Sequence, residues 1–272
     1  MTTPYRQRAK KRFGQHFLKD PHILERIVSA AGVVPGDRVL EIGPGPGYLT
    51  RVLLGTGAGV IAVELDRDIC AYLRKEFQGH ESLELIEADS LRLDYRALAE
   101  KRGGPLKVVS NPPYNITGPL VAKFIEERSA FTKIVLMLQK EVARRLVSGP
   151  GTRAAGALTI MLWLYFDVSA AFHVPAGAFS PPPEVDSTLV VMDPLAEPRA
   201  GVGDERLFRK VVKMAFGARR KTLGKALGGL AASREALFEA FAKAGIDPRR
   251  RAETLSVEEF ALLTDALRSL LT

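Results

Sequence analysis

Val39-Leu40-Glu41-Ile42-Gly43-Pro44-Gly45-Pro46-Gly47 reads as a strand running into a glycine loop and then into a helix. Glycines at such a turn let the backbone take positive φ and let a ligand approach closely. The spacing is Gly-x-Gly-x-Gly, not the Gly-x-Gly-x-x-Gly of dinucleotide binders. Pro44 and Pro46 stiffen the loop and remove amide donors. A loop cradling pyrophosphate wants those donors, so this one suits a less anionic ligand.

Downstream of the loop, short apolar runs alternate with helical patterns. The runs Val60–Glu64, Leu83–Glu87, Leu106–Ser110 and Lys133–Leu138 are rich in Val, Ile and Leu, as buried parallel strands are. Tyr48–Leu54, Arg67–Phe77 and Gly118–Glu127 carry helical periodicity between them. Pro21–Ala31 reads as a helix before the first strand, with Asp20 as N-cap and Pro21 at the first helical position. This alternation predicts a parallel α/β sheet with helices on both faces. Gly156–Phe166 and His173–Asp193 read as late strands with a substrate-facing loop, and Pro194–Gly203 as a linker. Beyond it, Asp204–Phe216, Arg219–Leu227, Ser233–Ala244 and Ser256–Leu271 are helical, and Ser256 with Glu259 forms a capping-box pattern. The expected organisation is a Rossmann-like domain over residues 1–195, with a basic tail at 1–12, and a small all-helical domain over 204–272.

Glu64 ends the second strand 21 residues after Gly43, where an acid in such folds accepts ribose hydroxyls. Asp89 follows the third strand and is placed to accept an adenine amino group. Together with the glycine loop, these acids point to an adenosyl cofactor without phosphate, and S-adenosylmethionine fits. The expected positions lie outside the carboxyl ends of the strands, where open α/β sheets bind ligands.

Ser110-Asn111-Pro112-Pro113-Tyr114 follows the fourth strand. The lone pair of an adenine amine is delocalised into the ring, so the amine is a poor nucleophile. Acceptance of its two N–H groups by the Asn111 side-chain oxygen and the Pro112 carbonyl would hold it pyramidal. The prolines preorganise both acceptors, and Tyr114 is placed to stack on an extruded base. By itself the motif does not separate adenine in DNA, adenine in RNA and a glutamine amide.

The chain has 272 residues with 39 Lys and Arg against 31 Asp and Glu, a net charge of +8. That surplus is uneven. Arg6, Arg8, Lys10, Lys11 and Arg12 stand without an acid in residues 1–12, and Arg206, Arg209, Lys210, Lys213, Arg219, Arg220, Lys221 and Lys225 likewise stand together. Residues 13–189 are near neutral. Two acid-free basic segments flanking a neutral body have the pattern of a nucleic-acid footprint. One cysteine, Cys70, excludes an internal disulfide and a cysteine metal cluster, and the stripe with Ile69 and Leu73 makes it core. His22, His80 and His173 lack metal-ligand spacing, so no metal is expected. No apolar stretch is long enough to span a bilayer, and no secretory signal is visible at the N-terminus, so a cytoplasmic chain is expected.

Taken in order, Phe13-Gly14-Gln15-His16-Phe17-Leu18, the Glu41–Gly47 loop, Val63-Glu64, Glu87-Ala88-Asp89 and Asn111-Pro112-Pro113-Tyr114-Asn115-Ile116 resemble the ribosomal RNA adenine N6-dimethyltransferases. Phe179-Ser180-Pro181-Pro182-Pro183-Glu184-Val185-Asp186-Ser187, Arg219–Leu223 and Arg251–Ser256 are similar to the small-subunit, KsgA/Dim-type branch. The resemblance implies dimethylation of two adjacent adenosines in the 3′-terminal hairpin of 16S rRNA, within the 30S subunit or its late precursor; a substrate so large leads to the expectation of a monomer. It also implies that His16, Leu18, Gly43, Glu64, Asp89 and Asn111 hold S-adenosylmethionine. Asn111, Tyr114 and Phe179 would handle the target base, with Phe179 as the second face of an aromatic clamp. Many small-subunit members carry Asn in place of His16, and Leu or Ile in place of Pro112. Two other readings are the large-subunit resistance methylases and an RNA-binding factor that has lost catalysis.

Overall fold

The structure is a computed structural model that describes residues 16–218 and 220–271. The basic tail, Phe13 and Arg219 lie outside the described residues. In chain order the elements are β1 (Phe17–Leu18), α1 (Pro21–Ala31), β2 (Arg38–Ile42), α2 (Tyr48–Gly55), β3 (Gly59–Glu64), α3 (Arg67–Glu76), β4 (Leu83–Glu87), α4 (Tyr95–Lys101), β5 (Leu106–Ser110), α5 (Thr117–Glu126), β6 (Phe131–Gln139), α6 (Lys140–Val147), α7 (Ala157–Tyr165), β7 (Phe166–Val174), β8 (Phe179–Ser180), β9 (Ser187–Pro194), α8 (Glu205–Gly217), α9 (Leu223–Ala226), α10 (Arg234–Ala244) and α11 (Val257–Leu271).

Chain contacts divide the molecule into two compact units. The first comprises the residues up to Ala143 and Val168–Pro194. Its seven-stranded sheet has the order β4-β3-β2-β5-β6-β9-β7. The pairs β4–β3, β3–β2, β2–β5 and β5–β6 are parallel, and β9 runs antiparallel to β6. Val39 and Leu40 of β2 and Val108 and Val109 of β5 are fully buried, which is why these strands read as continuous apolar runs. The chain winds outward from β2 to β4, then returns to add β5 on the other side. The sheet therefore reverses between β2 and β5, and the carboxyl ends of those strands frame the crevice.

Local signals account for the element ends. Asp20 Oδ1 accepts from the His22 and Ile23 amides at 2.9 and 3.3 Å, and Gly32 closes α1 with φ 57°. These are the N-cap and left-handed C-terminal devices that isolate a helix. A separate two-stranded ribbon pairs Leu18 with Phe179 and Phe17 with Ser180. It ties the N-terminal segment to the proline-rich loop, a long-range pairing that two-residue strands do not announce in sequence.

The second unit comprises Arg144–Asp167 and everything from Leu195 on. Phe208, Val211, Val212, Ala215 and Phe216 form the buried face of α8, and Phe216 meets Phe260 of α11 at 6.0 Å between rings. Ser256 and Glu259 make the expected capping box: the Ser256 amide donates to Glu259 Oε2 at 2.8 Å and the Glu259 amide to Ser256 Oγ at 3.2 Å.

Four expectations are corrected here. The apolar run 157–165 is the helix α7, not a strand. Burial of Thr159, Ile160, Leu162, Leu164 and Tyr165 removes the polar face whose period distinguishes a helix from a strand. This helix and the segment before it also group with the C-terminal helices, so the division is not a single cut near 195–204. The linker candidate at 194–203 is pinned instead of free. The Leu195 and Arg199 amides donate to the Tyr165 and Leu164 carbonyls at 2.8 Å, and Arg199 pairs with Asp167 at 2.6 Å. Lastly, the helix expected over 219–227 shrinks to Leu223–Ala226, where the Leu223 and Gly224 amides are drawn to the Arg250 and Pro248 carbonyls.

Replacing Ser256 by Ala removes one arm of the capping box. It is expected to cost about 1 kcal/mol, read as a lower urea midpoint at unchanged m-value.

Candidate active site

The cavity opens at the carboxyl ends of the strands of the first unit. His16, Leu18, Gly43, Glu64, Asp89, Asn111 and Tyr114 all line it, so seven of the eight predicted site residues share one space. Glu41, Leu65 and Ser90 line it as well.

The glycine loop hugs its surroundings. Gly43 has φ +67°, its amide donates to the Val63 carbonyl at 2.9 Å, and a Cβ there would lie 2.9 Å from Pro113 Cδ. Only glycine accepts that φ and that neighbour together. Gly47, at φ +83°, opens α2, and a Cβ on it would sit 2.6 Å from the Phe77 ring.

Glu64 ends β3 nearly buried, its Oε1 accepting the Leu65 and Asp66 amides at 2.8 and 2.9 Å. Burial raises its carboxyl above the ordinary value, while the amides of Asp66, Leu65 and Gly45 hold the rise back. Asp89 Oδ1 accepts the Leu91 amide at 2.9 Å, and its Oδ2 lies 3.6 Å from Arg92 Nε. Glu41 is deeper still: it is 2 % exposed, and Thr50 Oγ1 donates to its Oε2 at 2.6 Å. Burial pushes the Glu41 carboxyl up to about 8, helped by the negative charge of Glu64 and opposed by Thr50.

At the other wall, Asn111 Nδ2 donates to the His16 carbonyl at 3.2 Å. That bond leaves Asn111 Oδ1 as the acceptor. The His16 ring stacks on Tyr114 with centroids 5.7 Å apart and planes 23° off parallel, and its Nδ1 lies 2.9 Å from the Pro181 carbonyl oxygen. The Tyr114 hydroxyl and Ser187 Oγ are 2.6 Å apart. Phe179 departs from the expected clamp. It is 3 % exposed, is absent from the cavity wall, and packs in the core with Leu18, Leu24 and Ile27. Pairing of β8 with β1 turns it inward, and the ring facing Tyr114 is His16. Cys70 is core as expected, fully buried, with its thiol pushed up to about 11 by burial.

Glu41, Ser110 and Ser187 were not among the predicted site residues. Glu41 did carry a signal, being the one acid inside the apolar strand Arg38–Ile42. Ser187 closes the Phe179–Ser187 motif, but its pairing with Tyr114 on a distant segment is not legible there.

The donor set has a distinct chemistry. Glu41, Glu64 and Asp89 line the cavity, and among the described residues no Lys or Arg does. Glu41 keeps its proton up to about pH 8, so the repulsion of phosphate and the preference for a ligand with cationic groups rest on Glu64 and Asp89. S-adenosylmethionine, bearing a sulfonium and an ammonium against one carboxylate, fits this wall.

A family model described as ribosomal RNA adenine dimethylase matches residues 6–269. The chain belongs to the ribosomal RNA adenine dimethylase family. It is 46% identical over 266 residues to a ribosomal RNA small subunit methyltransferase A of Geobacter metallireducens, covering 97% of each chain. It is 47% identical over 255 residues to one of Magnetococcus marinus, covering 94% of this chain and 90% of the relative. A dimethyladenosine transferase from Plasmodium falciparum superposes with TM-score 0.76 at 27% identity, covering 91% of this chain and 96% of that one. The 23S rRNA methyltransferase ErmE superposes with TM-score 0.71 at 26% identity, covering 93% and 99%. Family membership makes the chain an S-adenosylmethionine-dependent methyltransferase of ribosomal RNA with a class I Rossmann-like fold. Among the described residues no helix is long and apolar enough to cross a membrane, and no group of His, Cys, Asp or Glu has the arrangement of a metal site.

The Glu41 carboxyl gives a pH prediction. Its folded pKa lies above its ordinary value, so the folded state keeps a proton that the unfolded chain has released. The stabilisation is whole below the ordinary carboxylate range and is lost as pH rises towards about 8. The ligand-free Glu41→Gln protein is therefore expected to gain stability relative to wild type from about pH 5 to about pH 8, with no further change above that. Parallel melting curves across this range would mean the carboxyl is ionised in the fold.

Proposed function

We propose that this chain dimethylates N6 of two adjacent adenosines in the 3′-terminal hairpin of 16S rRNA, acting as a monomer on the 30S subunit or its late precursor. The observation that carries the reading is the pairing of two walls in one cavity: carboxyls without a cation on one side, and the oriented Asn111 amide on the other. The naming of the relatives at 46 and 47% identity as small-subunit enzymes supports the small-subunit branch.

In this reading Glu64 accepts the ribose hydroxyls, Asp89 the adenine amino group, and the turn at Gly43 leaves room for the methionine part. His16 and Leu18 close the cofactor side from the N-terminal segment. The bound cofactor supplies a methyl group on a positively charged sulfur. Asn111 Oδ1 and the Pro112 carbonyl accept the N–H groups of the target amine and turn its lone pair towards that methyl. Donation of Nδ2 to the His16 carbonyl supports this role, because it leaves Oδ1 as the accepting end of the amide. Tyr114, held by Ser187, offers its ring to the base. Positioning and fixed dipoles supply the rate. A Phe179 clamp is not part of this reading, since the side chain packs in the core.

The C-terminal unit supplies the grip on RNA. Arg206, Arg209, Lys210 and Lys213 fall at i, i+3, i+4 and i+7 of α8, opposite its buried face, and all are exposed. Arg220, Lys221 and Lys225 continue the exposed basic run. Phosphate contacts of this kind position the enzyme and make binding salt-dependent.

The test is incubation with labelled S-adenosylmethionine and small subunits lacking these methyls, read by nucleoside mass. N6,N6-dimethyladenosine is the expected product, and absence of incorporation across salt and magnesium conditions would refute the reading. Preference for protein-free large-subunit RNA would assign the chain to the resistance branch. Asn111→Ala is expected to keep most of its cofactor affinity and lose about 100-fold or more in methyl transfer; wild-type complementation by this variant would make RNA binding the primary role. Neutralising Lys210, Lys213 and Lys221 together is expected to lower the salt slope of subunit binding by about 0.7–0.9 per charge. Cofactor affinity should stay unchanged in that variant, and a parallel loss of cofactor binding would contradict the separation of roles.

A further inference from the structure

The β2–β5 ladder pairs Val39 with Lys107 and Leu40 with Val108 and ends there. Two residues later the strands are joined by a side chain. Ser110 Oγ donates to the Ile42 carbonyl at 2.5 Å and accepts the Ile42 amide at 3.2 Å. Both residues are 1 % exposed. On its other side Ile42 is paired with Val63 of β3, and Ser110 is paired with Leu136 of β6. The hydroxyl thus stands between two otherwise fixed strand ends. A hydroxyl suits the place because it donates and accepts at once, meeting both backbone groups that the parting strands leave buried.

The next residue on each strand belongs to the site. Gly43 follows Ile42 and begins the loop on the cofactor side; Asn111 follows Ser110. The two loops already touch, since a Cβ on Gly43 would meet Pro113 Cδ at 2.9 Å. The separation of the strand ends therefore sets the separation of the loops.

We propose that Ser110 is a positioning residue for methyl transfer, its hydroxyl acting as the spacer that sets the distance between the Gly43 loop and Asn111. The proposal rests on the methyl-transfer reading of the site. Reactions governed by alignment lose about 100-fold for a displacement on the order of 1 Å, so a change in this spacer falls on kcat. Binding of each partner alone does not require the methyl and the amine to be in line, so it is much less affected.

The test compares Ser110→Thr, which keeps the hydroxyl, with Ser110→Val, which has nearly the same shape without it, and with Ser110→Ala. Methyl transfer to unmethylated small subunits gives kcat and KM, calorimetry gives cofactor affinity, and thermal denaturation reports folding. Val and Ala variants are expected to lose roughly 10- to 100-fold in kcat, with KM for the subunit and cofactor affinity within about twofold of wild type. The Thr variant is expected to recover most of the wild-type kcat. Equal losses in Thr and Val would make side-chain volume the cause and overturn the proposal. So would an unchanged kcat in Val and Ala, or a loss of kcat that only tracks a lower melting temperature and weaker binding. If the two branched variants fail to fold, the kcat-against-KM split of Ser110→Ala decides. An inactive wild-type protein would instead remove the methyl-transfer reading itself.

Discussion

Parallel strands whose connections leave towards opposite edges of a sheet have to part at their carboxyl ends, and this molecule is organised around that parting. Between β2 and β5 the ladder stops two residues before both strands end. The buried peptide groups exposed by the split must find partners, and a single serine hydroxyl meets those of Ile42. The two loops that frame the cavity hang from the two edges of this gap. The glycine loop leaves one edge and the Asn-Pro-Pro-Tyr turn leaves the other. Glu64 and Asp89 approach from the neighbouring strands on the β2 side. The site is thus a property of sheet topology first and of individual side chains second.

Charge is segregated along with topology. The cavity wall carries Glu41, Glu64 and Asp89 without a lysine or arginine among the described residues, whereas α8 and the segment after it present a run of exposed cations. The net charge of +8 therefore comes from the basic segments, while the cavity is an acid-lined spot within a near-neutral body. An acidic cavity suits a cationic donor molecule, and a basic helix face suits a polyanion. One uniform surface of either sign would serve only one of the two ligands.

Much of this was legible in sequence because the strands are buried on both faces. Runs such as Arg38–Ile42 and Leu106–Ser110 announce themselves by apolar content, and the acids or polar turns at their ends announce the site. Asp20, Pro21 and the Ser256–Glu259 pair marked helix starts by local hydrogen bonding, which needs no knowledge of the rest of the chain. The failures share a different cause. The inward turn of Phe179 follows from a two-residue pairing with Leu18, more than 150 positions away. The apolar Ala157–Tyr165 has no polar face to betray its period, and Pro194–Gly203 looks like a free linker until Arg199 finds Asp167 and the Leu164 carbonyl. Long-range pairing and complete burial both erase local evidence.

The grouping of α7 with the C-terminal helices bears on how the chain is made. Ile160, Leu162 and Leu164 are buried in the finished unit, and α7 packs against α8 and α11. During synthesis α7 emerges long before the chain reaches Val257–Leu271. For that interval its apolar surface has no permanent cover, at a stage when exposed hydrophobic segments are prone to misassociation. Completion of this unit thus waits on the final helix, so a nascent chain stopped short of it carries an unfinished core and not a slightly shorter domain.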